Sequence, residues 1–351
     1  MDLAIVGAAY QNFRRLLPDV AVHYAMKCNP ARRILQTLHQ AGCGFEVASY
    51  PELQALLAVG VDPAGVLFSN PVKVPGHISQ AYQAGVRVYS FDSAAEVDKL
   101  ARLAPGSKVS VRLRTTPAGS EVASEGKFGV DVRQAGHLLH YAASLGLVPW
   151  GIAFHVGSQM QDPGAWDVAI RQSSQLMRRL RRRGVTLGLL DMGGGFPTQY
   201  AGVVPPLDVF AAGITQSLAA HLPYPVQLAI EPGRALVGEA GVMVATVIGV
   251  AERAGKRWLH LDVGAFNGLM EALETRNQLA FPLADSRDDP IKLRYHLTGP
   301  TCDSQDTIMY DAQLSRNLEV GDRVYIATAG AYTVSYASRF NGFEIPQIRY
   351  A

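Results

Sequence analysis

A lysine closes an apolar, strand-like run in His23-Tyr-Ala-Met-Lys-Cys-Asn-Pro30. At such a place Lys27 reaches solvent, pairs with an acid, or serves as an amine nucleophile. Other groups along the chain would complete a chemistry for that amine. Gly193, Gly194 and Gly195, in Asp191-Met-Gly-Gly-Gly-Phe-Pro197, would lay bare backbone amides against a phosphate. Glu231 and Arg234, in Glu-Pro-Gly-Arg, supply a carboxylate and a guanidinium, while Glu46 and His155 add an acid and an aromatic ring. Each has an ordinary structural explanation too: a snorkelling lysine, a tight turn, a strand-end ion pair, a core histidine. Their order along the chain is what separates the two readings.

The elements that must position these residues alternate. Short β-branched runs at 22–29, 44–49, 66–70, 86–92, 108–115, 150–157, 187–193 and 226–232 are mostly separated by helical patterns with Gly or Pro at the junctions. Eight strand–helix units predict an α/β fold, a (β/α)8 TIM-like barrel, in preference to an open doubly wound sheet. After residue 237 the texture changes to strands without intervening helices, so the expectation is a barrel over 1–236 and a C-terminal all-β domain over 237–351. In such a barrel, functional residues gather at the C-terminal ends of the strands, and a phosphate often sits on the loops after strands 7 and 8. Lys27, His155, the glycine run and the Glu231–Arg234 loop all fall at those ends.

Composition narrows the class. With 48% hydrophobic and 18% charged residues and a formal net charge of +2, the chain reads as globular, with no general attraction to nucleic acid or membrane. The run Leu176-Met-Arg-Arg-Leu-Arg-Arg-Arg-Gly184 closes an amphipathic segment that begins near Ala165, where arginines suit the helix C-terminus and glycine stops it. Cys28, Cys43 and Cys302 have neither metal-ligand spacing nor a disulfide framework, which suits a reducing cytoplasm, and no metal is expected. No secretory signal and no membrane-spanning run is evident.

A lysine, a phosphate site and an acid at one barrel mouth suggest pyridoxal 5'-phosphate: the lysine condenses with its aldehyde, and a carboxylate, here Glu231, keeps the pyridine nitrogen protonated. The segments YAMKCNP, GFEVAS, FHVGSQ, MGGGFP, EPGR, GPTCDSQD, GAYT and FNGF together resemble the barrel-type (fold type III) ornithine/diaminopimelate/arginine decarboxylases, in particular the bacterial ornithine and lysine decarboxylases. The resemblance runs in order from about Leu3 to the C-terminus. It implies that Lys27 is the Schiff-base lysine, that His155 stacks on the cofactor ring and that Glu231 pairs with its nitrogen. Ser158, Gly194, Gly195, Arg234 and Tyr332 would hold the phosphate, with Glu46 and Arg112 in supporting roles. Cys302 would return a proton to the substrate carbon and Asp303 would bind a distal ammonium, both coming from the partner subunit of a homodimer.

The implied reaction is decarboxylation of L-ornithine or L-lysine to putrescine or cadaverine. Glu271, in FNGLMEALE, stands where eukaryotic ornithine decarboxylases carry a Tyr-Asp pair, so it is a second candidate for the distal amine. Three alternatives remain at this point: a decarboxylase of a citryl- or carrier-linked diamino acid from siderophore or antibiotic biosynthesis, an inactive regulatory homologue, and an amino-acid racemase. Glu231 opposes the racemase, since alanine racemases place an arginine at the pyridine nitrogen. The chain starts where an N-terminal segment of the family's β domain has ended, which leads to the expectation of an unpaired edge in that domain.

Overall fold

The computed structural model describes residues 1–115 and 126–351, and the backbone alone of 120–122. It divides into two compact units: Gly7–Pro197 with Pro205–Gly233, and Arg234–Ala351 with Met1–Val6 and Thr198–Val204. The division thus falls at 233/234, where the sequence pattern suggested 236/237, and two short segments distant in sequence join the C-terminal unit.

In the first unit eight parallel strands close into a barrel: β1 (Val20–Ala25), β2 (Gly44–Val47), β3 (Leu67–Phe68), β4 (Val88–Phe91), β5 (Lys108–Leu113), β6 (Val148–Phe154), β7 (Leu189–Asp191) and β8 (Gln227–Ile230). Each lies next to its sequence neighbours, and β8 returns to β1. The strands are shorter than the apolar runs that announced them, because the ends of those runs turn away to form the barrel mouth. Around them are α1 (Leu3–Leu16), α2 (Arg32–Gln40), α3 (Tyr50–Leu57), α4 (Pro75–Ala84), α5 (Ala94–Leu103), α6 (Val132–Ser144), α7 (Ala165–Arg181) and α8 (Leu207–His221). Several helices start at once after their strand because a polar side chain caps the free amides. Ser49 accepts from Glu52, Ser93 from Glu96, and Asp131 from Arg133 and Gln134. A short two-stranded ribbon, Ser120–Val122 against Ser158–Met160, interrupts the alternation and was not legible in the sequence.

Strand register sets the spacing of the mouth residues. Ala25 of β1 lies opposite Glu46 of β2, two residues before Lys27, and Ala229 of β8 lies opposite Asp191 of β7, two residues before Glu231. Both Lys27 and Glu231 thus lie just past the end of their strands, at the same rim of the barrel.

The second unit holds an open six-stranded sheet of β9 (Met243–Arg253), β10 (Lys256–Leu261), β11 (Leu283–Asp285), β12 (Lys292–Thr298), β13 (Thr307–Ser315) and β14 (Arg323–Ile326). Its order is β11-β14-β9-β10-β12-β13, so β11 and β13 are its edges. Val247, Leu259, Leu297 and Ile326 lie in its buried core. The unit is built on this sheet, as the sequence pattern led one to expect, and carries one helical turn at Glu271–Glu274. Strands β11 and β13 escaped the sequence reading, the first for its three-residue length and the second because Tyr310-Asp311 breaks its apolar pattern.

Trp166 of α7 is fully buried in the barrel unit, its ring 4.8 Å from Phe196 and 5.7 Å from Phe210, with Phe13 edge-on to Phe196 at 5.1 Å. Trp166→Ala is expected to cost about 3–5 kcal/mol through lost burial and a residual cavity. Thermal unfolding of the variant would show it as a drop of several degrees in Tm; an unchanged Tm would refute the importance of this cluster.

Candidate active site

At the mouth of the barrel, strand β1 ends at Ala25 and the chain passes into a 3-10 turn, Met26–Cys28, that carries Lys27 outward. The lysine therefore sits just past its strand rather than within it. Its side chain is 48% exposed, and Nζ lies 3.5 Å from Oε2 of the buried Glu46. Tyr24, donating to the Asn29 carbonyl at 2.9 Å, ties off the turn from inside.

Glu231 follows β8. Its amide donates to the Gly193 carbonyl at 2.8 Å, and its carboxyl accepts from the Ser69 hydroxyl. The buried Asp191, at the end of β7, accepts from the Gly193 amide at 3.0 Å and is hydrogen-bonded to Glu231 through the side chains. Two carboxyls in contact away from water do not both ionise, so the pair holds a proton. Burial, then the neighbouring Asp191, push Glu231 up to about 8, against the opposing pull of Lys27 and Ser69. Burial raises Asp191 to about 6, the Gly193 amide and the Glu231 hydrogen bond holding it there. At neutral pH the proton thus resides on Glu231, which donates to Asp191. Burial likewise lifts Glu46 to about 7, with Lys27 countering and Glu231 reinforcing the shift. Asp191 was not singled out in the sequence; only the β7–β8 register reveals it, since nothing in DMGGGFP says which face its side chain takes.

His155 comes directly after β6. Burial, with the Arg112 and Lys27 charges, pushes it down to about 3, so its imidazole is neutral. Arg112 lies on β5 with its guanidinium 5.2 Å from the Phe128 ring, and burial lowers its pKa against the attraction of Glu231 and other carboxylates. Ser158 opens the short ribbon three residues on.

The glycine run is obligatory. Gly193 has φ +64°, and a Cβ there would lie 2.1 Å from the Phe154 carbonyl oxygen; a Cβ on Gly194 would lie 2.4 Å from that of Glu231. Among the described residues the amides of Gly194 and Gly195 donate to no protein acceptor. Bare amides with no room for a side chain fit an anion such as a phosphate. A reachable amine, a buried carboxyl pair, a neutral imidazole and an anion cradle make a donor set that fits pyridoxal phosphate.

A further staple holds this mouth. Lys73, wholly buried after β3, donates to the carbonyls of Asn70 at 2.8 Å and Ser90 at 2.5 Å and pairs with Glu96 at 3.0 Å. It fixes the loop that presents Ser69 to Glu231.

In the C-terminal unit Arg234 is buried and pairs with Glu271 through its two terminal guanidinium nitrogens, with Tyr200 accepting a third bond at 2.7 Å. The Tyr332 ring, on a residue with φ +53°, lies 4.7 Å from the guanidinium carbon. Burial opposes the charge, yet Tyr200, Glu271 and Tyr332 keep the Arg234 pKa well above its usual value. Cys302 and Asp303 are both exposed, Cys302 Sγ 3.9 Å from Asn341 Oδ1. Their loop is held by the buried Asp306, which accepts from the amides of Ala265 at 2.7 Å and Thr301 at 3.0 Å. That anchor, too, went unmarked in the sequence.

The carboxyls give a signed pH dependence. Glu231 and Glu46 keep their protons to higher pH folded than unfolded, so their stabilisation is complete below about 4.5 and is lost as pH rises toward about 7–8. His155 acts oppositely, but only below its ordinary value of 6.5. The cofactor-free protein should therefore lose Tm between about pH 6.5 and 8, and Glu231→Gln should flatten that decline. An unaltered slope in the variant would refute the raised Glu231 pKa.

Comparison with known proteins agrees with this chemistry. Residues 3–238 match the family model described as pyridoxal-dependent decarboxylase, pyridoxal binding domain. The chain is 35% identical to the lysine/ornithine decarboxylase of Selenomonas ruminantium, covering 96% of this chain and 84% of that protein. It is also 35% identical to the ornithine decarboxylase of Schizosaccharomyces pombe, over 95% of this chain and 78% of that one. A lysine/ornithine decarboxylase from Vibrio vulnificus, solved in complex with cadaverine, superposes with a TM-score of 0.92 at 32% identity, covering 100% of this chain and 93% of that chain. The chain belongs to the pyridoxal-dependent decarboxylases, enzymes that work through pyridoxal phosphate.

Proposed function

We propose that the enzyme decarboxylates a basic L-amino acid, L-ornithine and/or L-lysine, and releases putrescine or cadaverine. The observation that carries the substrate class is the exposed Asp303 carboxylate, beside Cys302 on a loop fixed from within by Asp306 and, among the described residues, in no ion pair. The carboxylate accepts from the Gln305 amide at 2.8 Å, which fixes it in place for a distal ammonium, and the relatives named above are lysine/ornithine and ornithine decarboxylases.

Pyridoxal phosphate, when bound, supplies an aldehyde that takes up an amine and a protonated ring that accepts the electron pair left as carbon dioxide departs. Lys27, half-exposed with Glu46 beside it as counter-charge, would offer the amine that holds the cofactor. Glu231 holds the proton that the ring nitrogen needs, and Asp191 accepts from Glu231 so that this proton stays at the mouth at neutral pH. His155, kept neutral by burial, would offer an uncharged aromatic face to the cofactor ring. The Gly194 and Gly195 amides, Ser158, Arg234 and Tyr332 are assigned to the phosphate, and Arg112 balances the carboxyl cluster. Cys302 Sγ delivers a proton to the substrate Cα.

Glu271 changes role in this account. Its carboxylate is committed to Arg234, so we assign it to positioning that guanidinium and leave the distal ammonium to Asp303. Cys302 and Asp303 are read as serving the site of a partner subunit, which makes the working unit a homodimer with shared active sites. Among the described residues no helix is long and apolar enough to cross a membrane, and the three cysteines are free, in keeping with a cytoplasmic enzyme.

With added pyridoxal phosphate, carbon dioxide release is expected from ornithine or lysine. Asp303→Ala should lower kcat/KM by about 10–100-fold, mainly through KM, as befits a lost charge-assisted contact. Cys302→Ala should lower kcat by about 100-fold or more with little change in KM. Silence on both amino acids from protein that still binds the cofactor would overturn the substrate assignment.

A further inference from the structure

The decarboxylase reading uses none of the arginines that end α7. Arg178, Arg179 and Arg182 line an open groove of about 800 Å³, joined there by Arg114 just past β5 and Arg133 in the first turn of α6. Gln172 and Gln175 add neutral donors, and Leu113, Val130 and Val132 give the groove an apolar floor. These five arginines come from three separate elements, not from one charged run, and Arg178 also donates to the His221 carbonyl at 2.6 Å.

Helix electrostatics explains only part of this. Arginines at the C-terminus of α7 complement its dipole, whereas Arg133 sits at the positive end of α6, whose first turn contains no acid. Among the described residues none of the five makes an ion pair, although the chain pairs arginines elsewhere, as with Arg171 and Asp167, Arg287 and Asp322, and Arg316 and Asp289. Arg178 and Arg182 also stand four apart on one helix, a spacing at which like charges repel. Among the described residues that line the groove Asp131 is the one acid, and its carboxylate already accepts from the amides of Arg133 and Gln134 at 2.8 and 2.9 Å. The backbone bond from Gln134 above all, then that from Arg133 and the nearby arginine charges, hold it below the usual carboxylate range.

We propose that this groove between α6 and α7 binds a small polyphosphate, either a nucleoside triphosphate or an inorganic chain, with successive phosphates meeting Arg114, Arg133, Arg179 and their neighbours. Linked phosphates suit it because several planar donors converge within one ligand-sized volume, each able to grip a phosphate bidentately. The chain's net charge is only +2, so without these five arginines the rest of the chain is on balance acidic, which favours a short anion over a long nucleic acid.

The test uses the holoenzyme, in which the cofactor already fills its own phosphate site. Calorimetric titration compares tripolyphosphate, orthophosphate, ATP and a single-stranded oligonucleotide against wild type, Arg133→Gln alone, and R114Q/R133Q/R179Q. Tripolyphosphate should bind at least about tenfold tighter than orthophosphate and weaken with salt. The triple variant should lose at least about tenfold, R133Q a smaller part, with Tm and decarboxylation unchanged. Equal affinity for ATP and tripolyphosphate assigns recognition to the phosphates alone; a clear preference for ATP assigns it to a nucleotide. Undiminished tripolyphosphate binding by the triple variant, or binding no tighter than orthophosphate, overturns the proposal. Tighter binding of the oligonucleotide through the same arginines overturns it in favour of nucleic acid. None of these readouts depends on which amino acid the enzyme decarboxylates.

Discussion

The hydrogen bond between Glu231 and Asp191 is the constraint around which the barrel mouth is arranged. Placing two carboxyls together out of water costs free energy unless one stays protonated, and the surroundings keep it so. Asp191 spends its remaining capacity on the Gly193 amide, while Glu231 takes the Ser69 hydroxyl and gives its own amide to the Gly193 carbonyl. The glycine run, the strand-end carboxylate and the β3 loop are thereby tied into one unit. Any side chain at Gly193 or Gly194 would drive into the carbonyl of Phe154 or of Glu231 itself, so the same spacing that exposes bare amides also holds the acid in place.

Around that pair the other groups fall into complementary protonation states. A neutral imidazole, a charged guanidinium and a half-exposed amine share one mouth with three buried or half-buried carboxyls. Environments that push neighbouring groups apart in pKa are what acid–base and electron-sink chemistry requires, because each proton then has one preferred owner at working pH. The Lys73–Glu96 pair contributes at one remove, locking the loop that carries Ser69.

Much of this was legible in the residues because barrel strands are short, β-branched and punctuated by Gly and Pro, and because a barrel puts its chemistry at strand ends. Lys27, His155, the glycines and Glu231 followed from that rule. What stayed hidden depended on register and turns. The 3-10 turn that lifts Lys27 off β1 has no composition signal, and Asp191 becomes a partner of Glu231 only through the pairing of β7 with β8. The pairing of Glu271 with Arg234 was hidden for the same reason: its residue type says nothing about which cation the fold brings to it. Asp306 carried no signal of its own in the sequence; only the fold shows its carboxylate accepting from the Ala265 and Thr301 amides and so holding the Cys302 loop.

The central claim is that Lys27, and no other lysine of the barrel, carries pyridoxal phosphate. Lys73 is a fair rival, since burial, against the pull of Glu96, brings it down to about 8 and so toward the neutral, nucleophilic amine. Borohydride reduction of the holoenzyme followed by peptide mapping decides between them. The account predicts one reduced pyridoxyl group, on Lys27, and its loss in Lys27→Ala. Labelling of Lys73, or retained labelling elsewhere in Lys27→Ala with wild-type cofactor affinity, would contradict it.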